Sequence, residues 1–370
     1  MKRETLQFWG QIVLIVLVLY AFLVSIGLLG GAFKLFGKDL AHQLIEMTSN
    51  PLVGLLAGIL ATTLAQSSST TTSIAVGMVA GGALTIEGAI PVIMGANIGT
   101  SVTNTLVSMG HITRKEEFRR ALAGATVHDF FNLICVIILL PAELITRAWF
   151  GVGYLQWLAT WLTGVFEGAG GMAFASPLKI VVKPAVNLLL DLLGKNPTLS
   201  IIVALVLMYL ALKFLVDLAK GVVVQRSERY LHRYLFSTPL LTMAFGVVMT
   251  VLVQSSSITT STIIPLIGAG ILTLEQVFPY TLGANIGTTV TAMLASLATG
   301  NIAALIVAFA HLCFNLTGIL LVYPLEPIRR IPMVMARALA KMTSRNRVYA
   351  FVYVGLVFYL IPLGMIFIWR

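Results

Sequence analysis

The chain has 370 residues, of which 58% are hydrophobic and 10% charged, and its net charge at pH 7 is +10. A soluble globular domain carries about 25% charged residues and could not bury this much apolar surface, so the composition excludes a water-soluble protein. No stretch of ordinary soluble composition is long enough for a domain outside the lipid, which also excludes a single-pass receptor and an anchored enzyme. The sequence therefore predicts an integral membrane protein.

Apolar runs of roughly 20 residues, the length of helix that crosses a bilayer, predict the transmembrane helices. Seven runs qualify: residues 9–29, 89–111, 121–141, 199–216, 277–297, 302–323 and 349–369. With a cytoplasmic N-terminus, 16 of the 24 Lys and Arg residues fall on the inner side, in clusters at 2–3, 114–120, 220–233 and 329–347. This distribution follows the positive-inside rule, so the basic charge predicts topology and not nucleic-acid binding. Seven crossings place the C-terminus outside.

Two further segments are too short to cross, and polar residues interrupt each of them. Residues 51–65 and 73–83 flank the block from Gln66 to Ser73, and the block 254–257 interrupts the apolar stretch 239–270 in the same way. Irregular backbone survives at membrane depth only where protein or a water-filled cavity satisfies its polar groups. We therefore predict two re-entrant hairpins with polar tips.

The region between residues 143 and 196 is predicted to lie at the outer surface. Phe150, Tyr154, Trp157 and Trp161 recur every three or four residues, which is typical of one face of a helix in the headgroup layer. Residues 176–183, with prolines at 177 and 184, are predicted to form an outer loop.

An internal repeat relates the two hairpins and the segments that follow them. Position n aligns with n + 188 over residues 66–103 without a gap, and 20 of the 38 pairs are identical. Gln-Ser-Ser-Ser at 66–69 recurs at 254–257, and Asn-Ile-Gly-Thr at 97–100 recurs at 285–288. Three crossings separate the two copies of the span after the hairpin, so the copies enter the membrane from opposite sides.

The predicted fold is an all-α integral membrane protein with two inverted-topology repeats. Each repeat has a re-entrant helical hairpin and discontinuous transmembrane helices, an architecture typical of secondary transporters that work by alternating access. The predicted divisions are an N-terminal helix with an interfacial segment (1–50), the first repeat (51–143), a connecting region with one transmembrane helix and a basic cytoplasmic loop (144–238), the second repeat (239–325), and a basic segment with the C-terminal helix (326–370).

The polar tips predict an anion site near the middle of the membrane. Hydroxyl groups can donate hydrogen bonds to an anion and also coordinate a small cation, and helix N-termini favour negative charge. Because no Lys or Arg lies nearby in sequence, a multiply charged anion would need cations to accompany it. Asn97 and Asn285, each flanked by glycines, predict unwound backbone that exposes carbonyl groups, with a glycine-rich packing interface as the alternative.

Asp129 is predicted to lie near the middle of its span, where a carboxylate is by default a functional candidate. A cation ligand is the favoured role, with a proton carrier and a neutral structural acid as alternatives. His128 and His311 favour helix-to-helix hydrogen bonds, with cation ligation as the alternative. The pattern Thr-x-Glu at 85–87 and 273–275 predicts a threonine N-cap with an acid in the first helical turn.

These motifs resemble the type II sodium-dependent phosphate cotransporters, and the chain resembles their bacterial-type members over residues 51–143 and 239–341. The resemblance rests on the paired Gln-Ser-Ser-Ser and Asn-Ile-Gly-Thr segments and on Ala-Gly-Ala-Thr-Val-His-Asp at 123–129. It implies sodium-coupled symport of inorganic phosphate across the cell membrane, electrogenic with three sodium ions per divalent phosphate, with no enzymatic activity and no organic cofactor. The implied phosphate ligands are Ser67, Ser68, Ser69, Ser255, Ser256 and Ser257. Candidate sodium ligands are Gln66, Gln254, Asn97, Thr100, Thr103, Asp129, Asn285, Thr288 and Thr291, followed by His128, Asn132, His311 and Asn315.

Other functions remain compatible with the sequence. A sodium-linked phosphate exporter, or a transporter of another tetrahedral oxyanion, would use the same kind of site. A channel is disfavoured because a conducting pore does not need two opposed hairpins around one site. An intramembrane serine hydrolase would need one activated nucleophile, whereas every tip serine has a copy and the Gly-x-Ser-x-Gly pattern is absent around them.

Overall fold

The computed structural model describes residues 2–35, 45–46, 48–230, 236 and 238–369, and these residues form helices joined by short turns, without a strand. The helices are α1 (Lys2–Leu35), α2 (Pro51–Ala65), α3 (Ser68–Gly81), α4 (Ile86–Gly99), α5 (Val102–Ser108), α6 (Lys115–Phe150), α7 (Tyr154–Gly168), α8 (Gly171–Leu192), α9 (Pro197–Tyr230), α10 (Pro239–Val253), α11 (Ser256–Ser261), α12 (Ile264–Gly268), α13 (Leu274–Thr299), α14 (Ile302–Val322), α15 (Glu326–Arg345), α16 (Val348–Gly355) and α17 (Ile361–Trp369). A 3₁₀ turn, Met109–His111, follows α5, and a π-helical stretch, Leu356–Leu360, joins α16 to α17.

Five stretches of helix among the described residues are long and apolar enough to cross a membrane, and they coincide with five of the seven predicted spans. They are Gly10–Leu35, Lys115–Phe150, Pro197–Leu215, Ile302–Val322 and Val348–Trp369. The predicted span 89–111 is instead divided between α4, α5 and the 3₁₀ turn. The predicted span 277–297 lies within α13, where threonine, serine and glycine residues keep every membrane-length stretch less apolar than in the other five.

The two hairpins are built by the same local rules. Helices α2 and α10 each begin with proline at the first position, where its missing N–H costs no hydrogen bond. The side chains of Asn50 and Thr238 cap them, accepting from backbone N–H groups at 3.0 and 3.4 Å. Both helices end at a glutamine in the left-handed region, Gln66 with φ 51° and Gln254 with φ 56°. The chain therefore turns sharply at the same repeat position in both halves.

The polar tips are shorter than the sequence predicts. Ser67 accepts from the N–H of Thr70 at 3.2 Å, and Ser255 accepts from the N–H of Ile258 at 3.4 Å, so each serine is the N-cap of the next helix. Only two residues at each tip are non-helical, because the rest of the polar block forms the first turns of α3 and α11. The Thr72 hydroxyl donates to the carbonyl of Ser68 at 2.9 Å, one turn back, which satisfies it within the helix.

The helix after the hairpin is discontinuous in the first half only. A break at residues 100–101 separates α4 from α5, whereas α13 runs unbroken through Asn285. The prediction of unwound backbone at Asn285 is therefore wrong. In the second half the break lies earlier, at residues 262–263 between α11 and α12.

Glycines at equivalent positions let α2 pack against α4 and α10 pack against α13 with backbones in contact. A Cβ atom on Gly95 would lie 1.9 Å from the carbonyl oxygen of Leu55, and one on Gly283 would lie 1.9 Å from that of Met243. No side chain fits such a gap, and small residues allow this approach between membrane helices. The glycines around Asn285 thus serve close packing, which is the physical reason that the helix there does not unwind.

Gly283→Ala is expected to lower the free energy of unfolding by about 3 kcal/mol, because the new methyl group forces α10 away from α13. Gly164→Ala is the matched control, since a Cβ at this helical position meets no atom within 4 Å. Thermal unfolding of the purified protein in detergent, followed by intrinsic fluorescence, would measure both. Equal melting temperatures for the two variants would contradict the packing argument.

Two predictions for the outer region are wrong. Residues 176–183 belong to α8 and do not form a loop. The prolines at 177 and 184 each remove only one backbone hydrogen bond from this 22-residue helix, so the helix continues through them. Phe150 does not share a helix with Tyr154, because α6 ends at Phe150 and glycines at 151 and 153 separate it from α7. Trp157 and Trp161 do lie one turn apart on α7, with exposed fractions of 55% and 57%.

The predicted threonine caps are confirmed. The Thr85 hydroxyl accepts from the N–H of Gly88 at 3.1 Å at the start of α4. Thr273 accepts from the N–H of Gln276 at 3.3 Å, while the Gln276 side chain accepts from the N–H of Thr273 at 3.0 Å. This reciprocal capping box fixes the start of α13 at the position equivalent to the start of α4.

Candidate functional site

The first tip (residues 66–69) and the second tip (residues 254–257) lie against each other. The Ser69 hydroxyl donates to the backbone carbonyl of Gln254 at 3.4 Å. The Ser257 hydroxyl donates to the carbonyl of Thr100, at the break between α4 and α5, also at 3.4 Å. The structure thus brings together two polar segments that are 188 positions apart in sequence.

Both tips line one cavity of about 240 Å³. Ser67, Ser255 and Ser257 are on its wall, with Thr70 beside them. Since a water molecule in liquid occupies about 30 Å³, the cavity has room for a small anion with several water molecules. The hydroxyl groups that face the cavity can donate hydrogen bonds to an anion or coordinate a cation through their oxygen lone pairs.

Three of the six predicted phosphate ligands are not on the cavity wall. Ser68, Ser69 and Ser256 are buried, with exposed fractions of 3%, 2% and 2%. They lie in the first turns of α3 and α11, close in sequence to the serines that line the cavity. The geometry therefore divides the predicted set into cavity-facing serines and supporting ones.

Among the predicted sodium ligands, Gln66, Thr103 and Gln254 line the cavity. The Thr291 hydroxyl reaches it indirectly, donating to Oε1 of Gln254 at 2.9 Å. Thr103, the repeat partner of Thr291, has a buried hydroxyl without a hydrogen-bond partner among the described residues. An oxygen in that position fits the ligand preference of a small hard cation.

Thr100 and Thr288 occupy equivalent positions but lie off the cavity wall. Their hydroxyls donate to the carbonyls of Ala96 and Ala284, at 2.9 and 3.1 Å, each one turn back in its own helix. This bond uses the donor of the hydroxyl and leaves its acceptor lone pairs. Both remain compatible with a cation. Neither residue lines the cavity, although the backbone carbonyl of Thr100 accepts from the cavity-lining Ser257.

The predicted histidines and asparagines form a buried network that crosses between the two halves. His128 Nε2 lies 2.6 Å from Oδ1 of Asn285, and His311 Nε2 lies 3.4 Å from Oδ1 of Asn97. Each histidine thus contacts the asparagine of the other repeat. Asn132 extends the network, accepting from Asn285 at 3.1 Å and donating to the carbonyl of Asn97 at 2.7 Å.

This network supports the helix-to-helix interpretation of the two histidines. All five side chains are at least 97% buried, and their partners lie on different helices. Asn315 is more peripheral, donating to the carbonyl of His311 at 3.0 Å within α14. Asn97 lies within α4, three residues before the break, so the prediction of unwound backbone at Asn97 is also wrong, although its carbonyl does accept from the Asn132 side chain on α6.

Asp129 is buried on α6, with an exposed fraction of 4%. Its Oδ2 accepts a hydrogen bond from the hydroxyl of Tyr353, on α16, at 2.7 Å. Its Oδ1 is buried and has no hydrogen-bond donor among the described residues. A carboxylate oxygen in such surroundings is costly unless a cation or a proton compensates its charge, so Asp129 fits a cation ligand. It does not line the cavity between the tips.

Two charged residues on the cavity wall, Lys213 and Asp217, are not among the predicted site residues. They lie one turn apart on α9, next to Tyr209, and both are exposed. The sequence carries a signal for them, because each interrupts or closes an apolar transmembrane run, where a charge is by default a functional candidate. The sequence does not show that α9 packs beside both tips. In the structure this packing brings the positive charge of Lys213 to the cavity wall.

Comparison with known proteins decides the family. A sequence model of the family described as Na+/Pi-cotransporter matches residues 21–157 and 206–322, more than half of the chain. The chain belongs to this family. Each matched region contains one of the two tips, so the Na+/Pi-cotransporter match covers both sides of the cavity.

Two relatives illustrate the similarity. The chain is 35% identical to sodium-dependent phosphate transport protein 2B of Homo sapiens, over 96% of this chain and 64% of that protein. It is 36% identical to sodium-dependent phosphate transport protein 2A of Ovis aries, over 94% of this chain and 66% of that protein. The chain thus spans about two thirds of the length of these relatives. No solved structure matches it.

Proposed function

We propose that this chain carries out sodium-coupled uptake of inorganic phosphate across the cell membrane. The observation that carries the proposal is the contact between the two serine tips, which jointly line one small cavity. The names of the relatives, sodium-dependent phosphate transport proteins, supply the substrate and the coupling ion. The cavity supplies hydroxyl donors for an anion and oxygen acceptors for cations.

The balance of charge in the cavity supports coupling to sodium. Lys213 is the cationic side chain on the wall, and Asp217 on the same wall opposes it. A divalent phosphate therefore meets no fixed net positive charge there, and its desolvation needs mobile cations. We propose three sodium ions per divalent phosphate, with Asp129 holding one of them, which makes the cycle electrogenic.

A flux assay tests the proposal directly. The purified chain in proteoliposomes should accumulate radiolabelled phosphate when sodium is outside, and replacement of sodium by choline should abolish the accumulation. Uptake that persists in choline would contradict the proposal. Loading the vesicles and reversing the sodium gradient tests an exporter, and competition by arsenate against sulfate tests whether the site accepts other tetrahedral oxyanions.

Alternating access by two inverted repeats is the proposed mechanism. We take the orientation from the basic residues, with the N-terminus in the cytoplasm and the end of α17 outside. In this orientation the two hairpins enter the membrane from opposite faces. The two halves are locally unequal, which supports the idea. Gln254 is buried and accepts from Thr291, whereas its repeat partner Gln66 is exposed and Thr103 lacks a partner among the described residues. Exchange of these two arrangements would open the cavity to the other side.

The serine hydrolase alternative loses support from the geometry. Such an enzyme needs a histidine within hydrogen-bond reach of the nucleophilic serine. His128 and His311 instead lie against Asn285 and Asn97, and among the described residues neither forms a hydrogen bond with a serine side chain. The two relatives named above are transport proteins.

Lys213→Gln is expected to raise the KM for phosphate about tenfold with little change in the maximal rate, because it removes the fixed positive charge at the cavity wall. The effect should shrink as ionic strength rises, since salt screens an exposed charge. Lys195→Gln is the matched control, because Lys195 is an exposed lysine paired with Asp191 and does not line the cavity. An unchanged KM in Lys213→Gln would remove this residue from the site.

A further inference from the structure

A second cavity, of about 450 Å³, lies between α6, α15 and the turn that leads into α13. Its wall combines four basic side chains with an apolar surface. The basic residues are Arg119, Arg120, Arg337 and Lys341, and Ile267 and Leu272 are among the apolar ones. The transport mechanism proposed above uses none of these residues.

The charges on this wall are only partly neutralised. Glu275 pairs with Arg337, and although partial burial opposes its ionisation, the hydrogen bond from Arg337 holds the pKa of Glu275 below its usual value. Arg119 pairs with Glu116 at 2.6 Å. Arg120 donates from Nε to the carbonyl of Gly268 at 2.9 Å, which fixes its guanidinium group without neutralising it.

Lys341 has no acidic partner among the described residues, so the cavity keeps a net positive charge. A phosphate group with a negative charge is the natural complement of such a wall, since arginine binds it through paired N–H groups and lysine as a point charge.

Helix α15 has the character of a helix at a membrane surface. It buries Met333, Ala336 and Ala340 against the protein, and its remaining faces are basic and apolar side by side. Val334 is exposed by 58% and Met342 by 46%, although both are large hydrophobic residues. A basic helix that presents apolar side chains is typical of the interface between lipid tails and headgroups.

We infer that this cavity binds the headgroup of an anionic phospholipid. The phosphate would lie against Arg119, Arg120 and Lys341, while the acyl chains would follow the apolar side chains of the wall. The clusters at 114–120 and 329–347, which supply the basic residues of this wall, are predicted to lie on the cytoplasmic side. Basic pockets between helices on that side are suited to such lipids. The inference depends on the membrane setting of the chain and not on its transport activity.

Native mass spectrometry of the purified full chain tests the inference with phosphatidylglycerol and phosphatidylcholine. The wild-type chain should retain phosphatidylglycerol preferentially, and Arg119→Gln combined with Lys341→Gln should reduce this retention at least tenfold. Lys115→Gln combined with Arg345→Gln is the matched control. It removes the same charge from the same two helices but leaves the cavity wall intact, and retention should be unchanged.

Three outcomes would overturn the inference. One is equal loss of phosphatidylglycerol in both double variants, which would indicate general surface charge. Another is equal retention of the two lipids by the wild type. The third is displacement of the lipid by millimolar inorganic phosphate or glycerol phosphate, which would make the cavity a site for soluble anions. Melting temperatures of both double variants in a zwitterionic detergent establish that they are folded.

Discussion

Ser255→Asp is expected to reduce phosphate uptake by two to three orders of magnitude while the protein remains folded. Ser255 lines the cavity and caps α11, accepting from the N–H of Ile258. Aspartate is as good an N-cap as serine, so the start of the helix is preserved. Its carboxylate, however, faces the anion. Two unit charges at about 4 Å with an effective dielectric of about 20 interact by about 4 kcal/mol, which is nearly three decades in affinity.

Two variants separate this electrostatic effect from damage to the fold. Ser255→Asn also keeps a capping side chain but adds no charge, so uptake should fall much less than in Ser255→Asp. Thr85→Asp adds the same charge at another helix N-cap, that of α4, away from the cavity, and uptake should stay close to that of the wild type. Uptake in Ser255→Asp equal to that in Ser255→Asn would show that no anion comes near this serine.

The hairpins could be predicted because their signals are local. A proline after a capping residue, a short apolar run, and a serine that can cap the next helix are all readable within about 20 positions. The duplication at an interval of 188 then shows that the two tips are equivalent. The extent of each tip could not be predicted, since Ser68 to Ser73 have hydroxyls that suit either a loop or the first turns of a helix.

Which residues line the site depends on the packing of helices that are distant in sequence. This packing cannot be predicted from one sequence by local signals. Lys213 lies on a helix outside both repeats, and only the placement of α9 beside the tips brings it to the cavity. The glycines around Asn285 suggest unwinding, but the close approach of Met243 shows that they are needed for helix contact. The partner of Asp129, Tyr353, is 224 positions away in sequence.

Asp129→Asn is expected to leave phosphate transport measurable but to remove the net charge moved with each phosphate. Asparagine keeps the size of the side chain and an oxygen that can accept from Tyr353, so the fold should persist. It lacks the negative charge that compensates a buried cation. Phosphate-evoked current and radiolabelled uptake, measured together under voltage clamp, should show the charge per phosphate falling from one toward zero.

The same substitution should lower the limiting accumulation of phosphate. Each tenfold sodium gradient supplies about 1.4 kcal/mol, and one net charge supplies about 2.3 kcal/mol per 100 mV. With a tenfold sodium gradient and about 100 mV, three sodium ions with one net charge support roughly four to five decades of phosphate accumulation. A neutral two-sodium cycle supports about two decades. A current of unchanged size in Asp129→Asn would contradict the assignment.

Tyr353→Phe separates the charge of Asp129 from its hydrogen bond. This variant removes the donor to Oδ2 but keeps the carboxylate, so the charge moved per phosphate should remain one while the sodium concentration for half-maximal current shifts. A proton carrier would behave differently, because its current at a fixed sodium concentration would grow as the outside pH falls. A structural acid would lose uptake and current in equal proportion in Asp129→Asn. The ratio of charge to phosphate in these two variants, together with the dependence of the current on the outside pH, therefore distinguishes all three roles of Asp129.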